Sequence, residues 1–147
     1  TRATQVPYRW IDQGAWKAVK LAETENRYQA GMIEVDLKQY ASDKTPWQAM
    51  HKNVLATDID IWADKELLIQ KMNPDFKQFA SKENEVYEME YPHLRFPQKV
   101  KSHNLDKEDT IEGTLEAIKG QYLIFDGGRV INSRKYGGYL VDLEVEV

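Results

Sequence analysis

The sequence predicts an α+β fold, and three observations predict it. Residues 1–56 mix strand-like and helix-like patterns, and residues 57–82 repeat apolar side chains at helical spacing. Residues 83–147 alternate apolar and polar positions between glycine turns. The expected architecture is a small mixed α/β part, a helical segment, and a C-terminal antiparallel sheet or partly open barrel. A chain of 147 residues buries roughly 70% of its unfolded surface, enough for a core without disulfide or metal staples.

Within the first part, Gly14 predicts a turn, and "AWKAVKLAE" then carries Trp16, Ala18, Val19 and Leu21 in a short half-buried strand. In "ENRYQAGMIEVDLKQYA", Ala30, Ile33, Leu37 and Tyr40 recur at steps of three, four and three. That is a helical stripe, with Asn26 as its N-cap and Gln29 three residues on. Gly31 inside it costs about 1 kcal/mol relative to alanine. "DKTPWQAM" predicts a second helix start, with Thr45 capping, Pro46 at the first helical position and Gln48 closing a capping box.

Ile61, Leu68, Met72 and Phe76 then mark a packing helix interrupted at Pro74. "EVYEMEY" alternates and reads as a strand, while Pro92 and Pro97 flank a loop at "HLRF". From Thr110 onward, Ile111, Leu115, Ile118, Tyr122, Ile124, Val130 and Ile131 supply apolar faces. "DGG" at Asp126–Gly128 predicts a hairpin turn, because its glycines accept positive φ. Gly137–Gly138 predicts another, followed by a strand with Tyr139, Val141, Leu143 and Val145.

Net charge is −4, so the whole chain exerts no general attraction on nucleic acid. The excess of acids lies in residues 55–92, and the two ends are less acidic. An anion site would therefore sit at the ends. The chain has no cysteine, which excludes disulfide frameworks, thiolate zinc sites and cysteine nucleophiles. With no signal peptide, membrane span or lipidation motif, the expectation is a cytoplasmic protein without a membrane partner.

Few residues carry chemistry at a recognisable spacing. His51, His93 and His103 lie far apart and are expected at the surface or in caps. No serine occupies a nucleophile elbow, and "FDGGRV" lacks the lysine and hydroxyl of a phosphate loop. Arg9, in "PYRWID" after a Pro7 turn, presents a rigid guanidinium fork to phosphate. The alternative is an Arg9–Asp12 pair, or stacking on Trp10. Glu34 is the lone acid among Met32, Ile33 and Val35. It suits Mg²⁺, which takes one or two carboxylates plus substrate phosphate; the alternative is an i,i+4 pair with Lys38. Arg129, Arg134, Lys135 and Tyr136, with Tyr139 close by, suit single-stranded nucleic acid, or else decorate hairpin edges.

"TRATQVPYRWIDQGA", "NRYQAGMIEVDLK", "SDKTPW" and "IKGQYLIFDGGRVINSRKYGGY" resemble the C-terminal part of an uncharacterised bacterial family of unknown function (DUF2797-like). The likeness spans nearly all of the chain. It implies a cysteine-bearing N-terminal region, a zinc module, ahead of Thr1, so the sequence is expected to be a fragment of a longer parent. More distantly, the order of elements is similar to the GIY-YIG nucleases. There an arginine after the second strand orients the phosphate and a glutamate on a later helix binds the divalent metal. That resemblance puts the two roles on Arg9 and Glu34, with Mg²⁺ as cofactor and nucleic acid as partner. It departs from the pattern in that both tyrosine strands lie outside the chain. The resulting expectation is a nucleic-acid-processing protein whose intact parent performs Mg²⁺-dependent phosphodiester cleavage. The alternatives are a non-catalytic nucleic-acid- or protein-binding module using Arg129, Arg134, Lys135 and Tyr136, and a structural scaffold.

Overall fold

A computed structural model describes residues 5–146. Four helices, α1 (Val6–Asp12), α2 (Arg27–Leu37), α3 (Trp47–His51) and α4 (Ile61–Lys71), occupy the first half with the two-residue strand β1 (Lys17–Ala18). The second half holds β2 (Tyr87–Glu88), β3 (Lys101–Ser102), β4 (Leu115–Lys119), β5 (Tyr122–Phe125) and β6 (Arg129–Asn132). Short 3-10 turns cover Pro74–Phe79, Asp126–Gly128 and Ser133–Tyr136. The class is α+β, with two small sheets and no closed barrel. No helix among the described residues is long and apolar enough to cross a membrane.

Local chemistry explains most helix boundaries. The Asn26 side chain accepts the Gln29 N–H at 3.0 Å, while Gln29 Oε1 accepts the Glu25 N–H, so α2 starts where its cap predicts. Asp60 likewise accepts from the Trp62 and Ala63 N–H groups to open α4. That helix ends at Met72, and Asn73 then caps the turn that Pro74 opens. The expected Thr45 cap does not form. Pro46 itself occupies the N-cap of α3, which moves Thr45 one residue outside, and its hydroxyl donates to Gln13 Oε1 at 3.1 Å.

The larger sheet has the order β3-β6-β5-β4. β4, β5 and β6 form an antiparallel meander, but β3 joins β6 in parallel, so the sheet is mixed rather than wholly antiparallel. The chain reaches that arrangement by crossing from β3 at one edge to β4 at the other through residues 103–114. The strand expected after Gly137–Gly138 does not form. Residues 140–146 have no ladder partner among the described residues, and Leu140, Val141, Leu143 and Val145 are all exposed. Alternation specifies which face of a strand would be buried, but it cannot supply a sheet edge to receive it.

Two hydrophobic cores result. Met50, Ala117, Tyr122, Ile124 and Val130 form one, flanked by Phe96 and Val100. Ile33, Leu37 and Met72 form the other, flanked by Leu21, Leu68, Phe76 and Phe79. Thus α3 packs with the C-terminal sheet, whereas α2 closes on α4 and the turn after it. The small sheet joins the halves by pairing Lys17 with Glu88 and Ala18 with Tyr87. Beside it, the Lys65 Nζ donates to the Glu83 carbonyl at 2.7 Å, and Lys20 bridges the Glu83 carboxylate at 2.6 Å.

The β5–β6 connection needs glycine for two reasons. Gly127 and Gly128 have φ of 66° and 73°, and a Cβ on Gly128 would overlap the Lys99 carbonyl oxygen. Positive φ costs an L-residue about 1–2 kcal/mol, and backbone overlap adds to it. Gly128→Ala should therefore lower unfolding stability by more than about 2 kcal/mol, read as a lower urea midpoint at unchanged slope. Gly127→Ala, with open space around its Cβ, should lose only about half as much.

Candidate nucleic-acid interface

Arg9 stands on a helix, not on a tight turn. Pro7 lies in the first turn of α1, where its missing N–H costs no intrahelical bond. The C-terminal end of that helix is fixed from several directions. Trp10 packs on Tyr87 with ring centroids 5.0 Å apart, and the Tyr91 hydroxyl donates to the Ala15 carbonyl at 2.7 Å. Burial, with the Asp12 carboxylate nearby, pushes Tyr91 up to about 12, so it stays a neutral donor. Gly120, at the β4–β5 turn with φ 61°, leaves room for the Asp12 carbonyl where any Cβ would collide. Finally, the Arg134 guanidinium bonds the Asp12 carboxylate at 2.8 Å.

This last contact decides how the basic residues are grouped. Asp12 is taken by Arg134 rather than Arg9, and Arg9 lies three residues before Asp12 on the same side of α1. Arg9 is exposed and makes no ion pair among the described residues. The side chains of Arg134 and Lys135 are about half exposed on the adjoining turn. Lys135 lies 3.7 Å from the Asp106 carboxylate, a loose surface pair of small energetic weight. Exposed rings flank the group: Tyr8 is 69% and Tyr139 53% exposed.

The other two residues of the expected C-terminal patch sit elsewhere. Arg129 opens β6, at the opposite end of that strand from Arg134, and is bound to the Asp126 carboxylate at 2.6 Å and the Glu112 carbonyl at 2.7 Å. Tyr136 is 8% exposed. Its hydroxyl accepts the Leu105 N–H at 3.0 Å, so the ring anchors the loop after β3 and presents no stacking face. Sequence proximity grouped these four residues; the 3-10 turn rotates Tyr136 inward and leaves Arg134 and Lys135 outside.

Glu34 is exposed on α2, whose buried side is Ile33 and Leu37. Its expected partner Lys38 bridges Asp43 instead, at 2.9 Å. No hydrogen bond or ion pair joins α1 to α2 among the described residues. Nor does any group of three His, Asp or Glu suited to a metal occur among them. A lone carboxylate fits Mg²⁺ only where substrate phosphate and water complete the shell.

Behind the basic surface lies a buried polar cluster that sequence reasoning missed. Lys119 is 1% exposed, with Nζ 2.6 Å from Asn53 Oδ1 and 5.5 Å from the ring centres of both Tyr91 and Phe96. Burial lowers its pKa. His51, close to Lys119, and His103, apart from them beside Glu108, were expected at the surface or in caps and are each 8% exposed. The His51 ring sits edge-on to Tyr122 at 4.2 Å, and its Nε2 has no hydrogen-bond partner. A usable signal did exist: Ala117 and Lys119 share an inward parity on β4.

The profile of DUF2797, described as a protein of unknown function, matches residues 1–141, and the chain belongs to that family. No curated protein and no solved structure matches it.

Burial first, and the Lys119 charge second, push His51 from 6.5 down to about 4. Between those values the unfolded chain binds a proton that the folded chain refuses, so stability rises with pH. The contribution is fully present above pH 6.5 and is lost progressively as pH falls toward about 4. The melting temperature should drop on acidification from neutrality to pH about 5, above most carboxylate titrations. His51→Phe keeps a ring against Tyr122 and should flatten that part of the profile.

Proposed function

We propose that this DUF2797 chain is a non-catalytic nucleic-acid-binding module, and that its contact surface is built by α1 and the Ser133–Tyr136 turn. The Arg134–Asp12 bond carries the reading, because it sets Arg134 and Lys135 beside the helix that bears Arg9. Three cations with two exposed tyrosines make a surface suited to single strands, in which phosphates meet the cations and bases stack on rings. The overall charge of −4 opposes any general polyanion affinity, so binding here depends on this local group.

Anisotropy titrations of a labelled single-stranded oligonucleotide test it. Arg9→Gln with Lys135→Gln should weaken binding by about tenfold or more and flatten the salt dependence by roughly 0.7 per lost phosphate contact. Tyr8→Ala should remove a further stacking contribution of about 1–3 kcal/mol. Equal affinity and equal salt slope in the double variant would refute the proposal.

A second reading rests on the resemblance to GIY-YIG nucleases and places phosphodiester cleavage on the same Arg9, with Glu34 as Mg²⁺ ligand. It is favoured by the exposure of both side chains, neither of which makes an ion pair among the described residues. Arg9 would neutralise the scissile phosphate, and the metal would supply Lewis acidity and activated water. Cleavage of a nucleic acid in Mg²⁺ should then vanish on Glu34→Ala. Retention of cleavage in that variant would exclude Glu34 as the ligand.

A further inference from the structure

Residues 140–146, "LVDLEVE", have the pattern of a strand and pair with no strand among the described residues. Val141, Leu143 and Val145 share one side of the extended chain; Asp142, Glu144 and Glu146 share the other. Leu143 is 85% exposed, and no ladder covers its neighbours. A surface facing water does not gain from presenting such a row, which marks it as one half of a contact.

The complementary half is on the same molecule. β3 is an edge strand of the larger sheet, paired to β6 on one side only. On it Lys101 lies opposite Arg129, on the face away from the core, and Lys99 precedes the strand in a bend; both are exposed and without an ion pair among the described residues. Val100, between them, faces the other way and packs against the core of Met50, Ala117, Ile124 and Val130. Residues opposite one another in a ladder share a face. A single register therefore puts the acidic side of residues 140–146 on the face of Lys101, with Lys99 just before it in the chain. The same register carries the aliphatic side onto the core face beside Val100. Charge and hydrophobicity agree on one pairing. Edge lysines ordinarily repel uninvited strands, and an acidic strand is the kind they admit.

The segment does not lie on its own β3. Tyr136 and Tyr139 tie its beginning to the loop after that strand, through Leu105 and Asp106, and residues 140–146 then run on unpaired. We infer that residues 140–146 add as a strand to the outer edge of β3 in a second copy of this chain. The exchange is reciprocal, giving a two-fold dimer held by main-chain hydrogen bonds and the Lys99/Lys101–Glu144/Glu146 charges.

Sedimentation equilibrium of the 147-residue chain, from micromolar to millimolar concentration, tests this. A concentration-dependent dimer is expected. Leu143→Pro removes a ladder N–H in a segment that supports nothing else in the single chain. It should raise the dimer dissociation constant at least about tenfold at unchanged circular dichroism and melting temperature of the monomer. Lys101→Glu should weaken the dimer similarly, and adding Glu144→Lys should restore it. A monomer throughout, including one whose residues 140–146 are protected from hydrogen exchange by its own β3, overturns the inference. So does a dimer indifferent to Leu143→Pro.

Discussion

The Lys119 ammonium is the contact on which the arrangement of this molecule turns. It is nearly inaccessible and stands at the end of β4, next to the β4–β5 turn. Its charge is accommodated by the Asn53 amide oxygen, just after α3, and by the faces of Tyr91 and Phe96, from the segment crossing over β4. One cation thus joins three stretches distant in sequence. Stripping water from an ammonium costs several kcal/mol, and only good partner geometry offsets it. Losing one partner would strand the charge. Asn53, at φ 54°, is the left-handed residue that ends α3, and the Val54 N–H returns to the Ala49 carbonyl beside it.

Tyr91 carries that arrangement outward. Its ring faces Lys119 while its hydroxyl holds the Ala15 carbonyl beyond α1. The helix bearing Arg9 is therefore seated on a polar core rather than on a broad apolar one, and α1 contributes no buried residue of its own. What fixes it is a set of directional contacts: the hydroxyl of Tyr91, the glycine surface at Gly120 and the carboxylate of Asp12.

Much of this fold was legible in the sequence wherever the cause was local. The Asn26 cap, the Ile33/Leu37 stripe and the break at Pro74 each depend on residues within a few positions of one another. Thr45 shows where local reasoning stops: its hydroxyl serves Gln13, 32 residues away. The candidate surface was half legible. Arg9, Arg134 and Lys135 were recognisable as exposed cations, but their grouping follows from Asp12 meeting Arg134 across 122 residues, which no spacing rule encodes. Tyr136 misled because an aromatic beside two cations looks the same in sequence whether a 3-10 turn points it in or out. Lys119 was hidden by its type, since lysine is almost never fully buried.

The mixed sheet has a consequence for the order in which the chain assembles. β4, β5 and β6 are joined by turns of two and three residues, so their pairing closes short loops. The parallel strand β3 must wait for β6, and α1 must wait for the β4–β5 turn on which it sits. Contacts of low sequence separation form first, and those that close long loops form late. The surface made by α1 and the Ser133–Tyr136 turn closes a loop of 122 residues, the kind of contact that topology places late in folding. During synthesis, α1 is made before the β4–β5 turn on which it sits and finds its seat late.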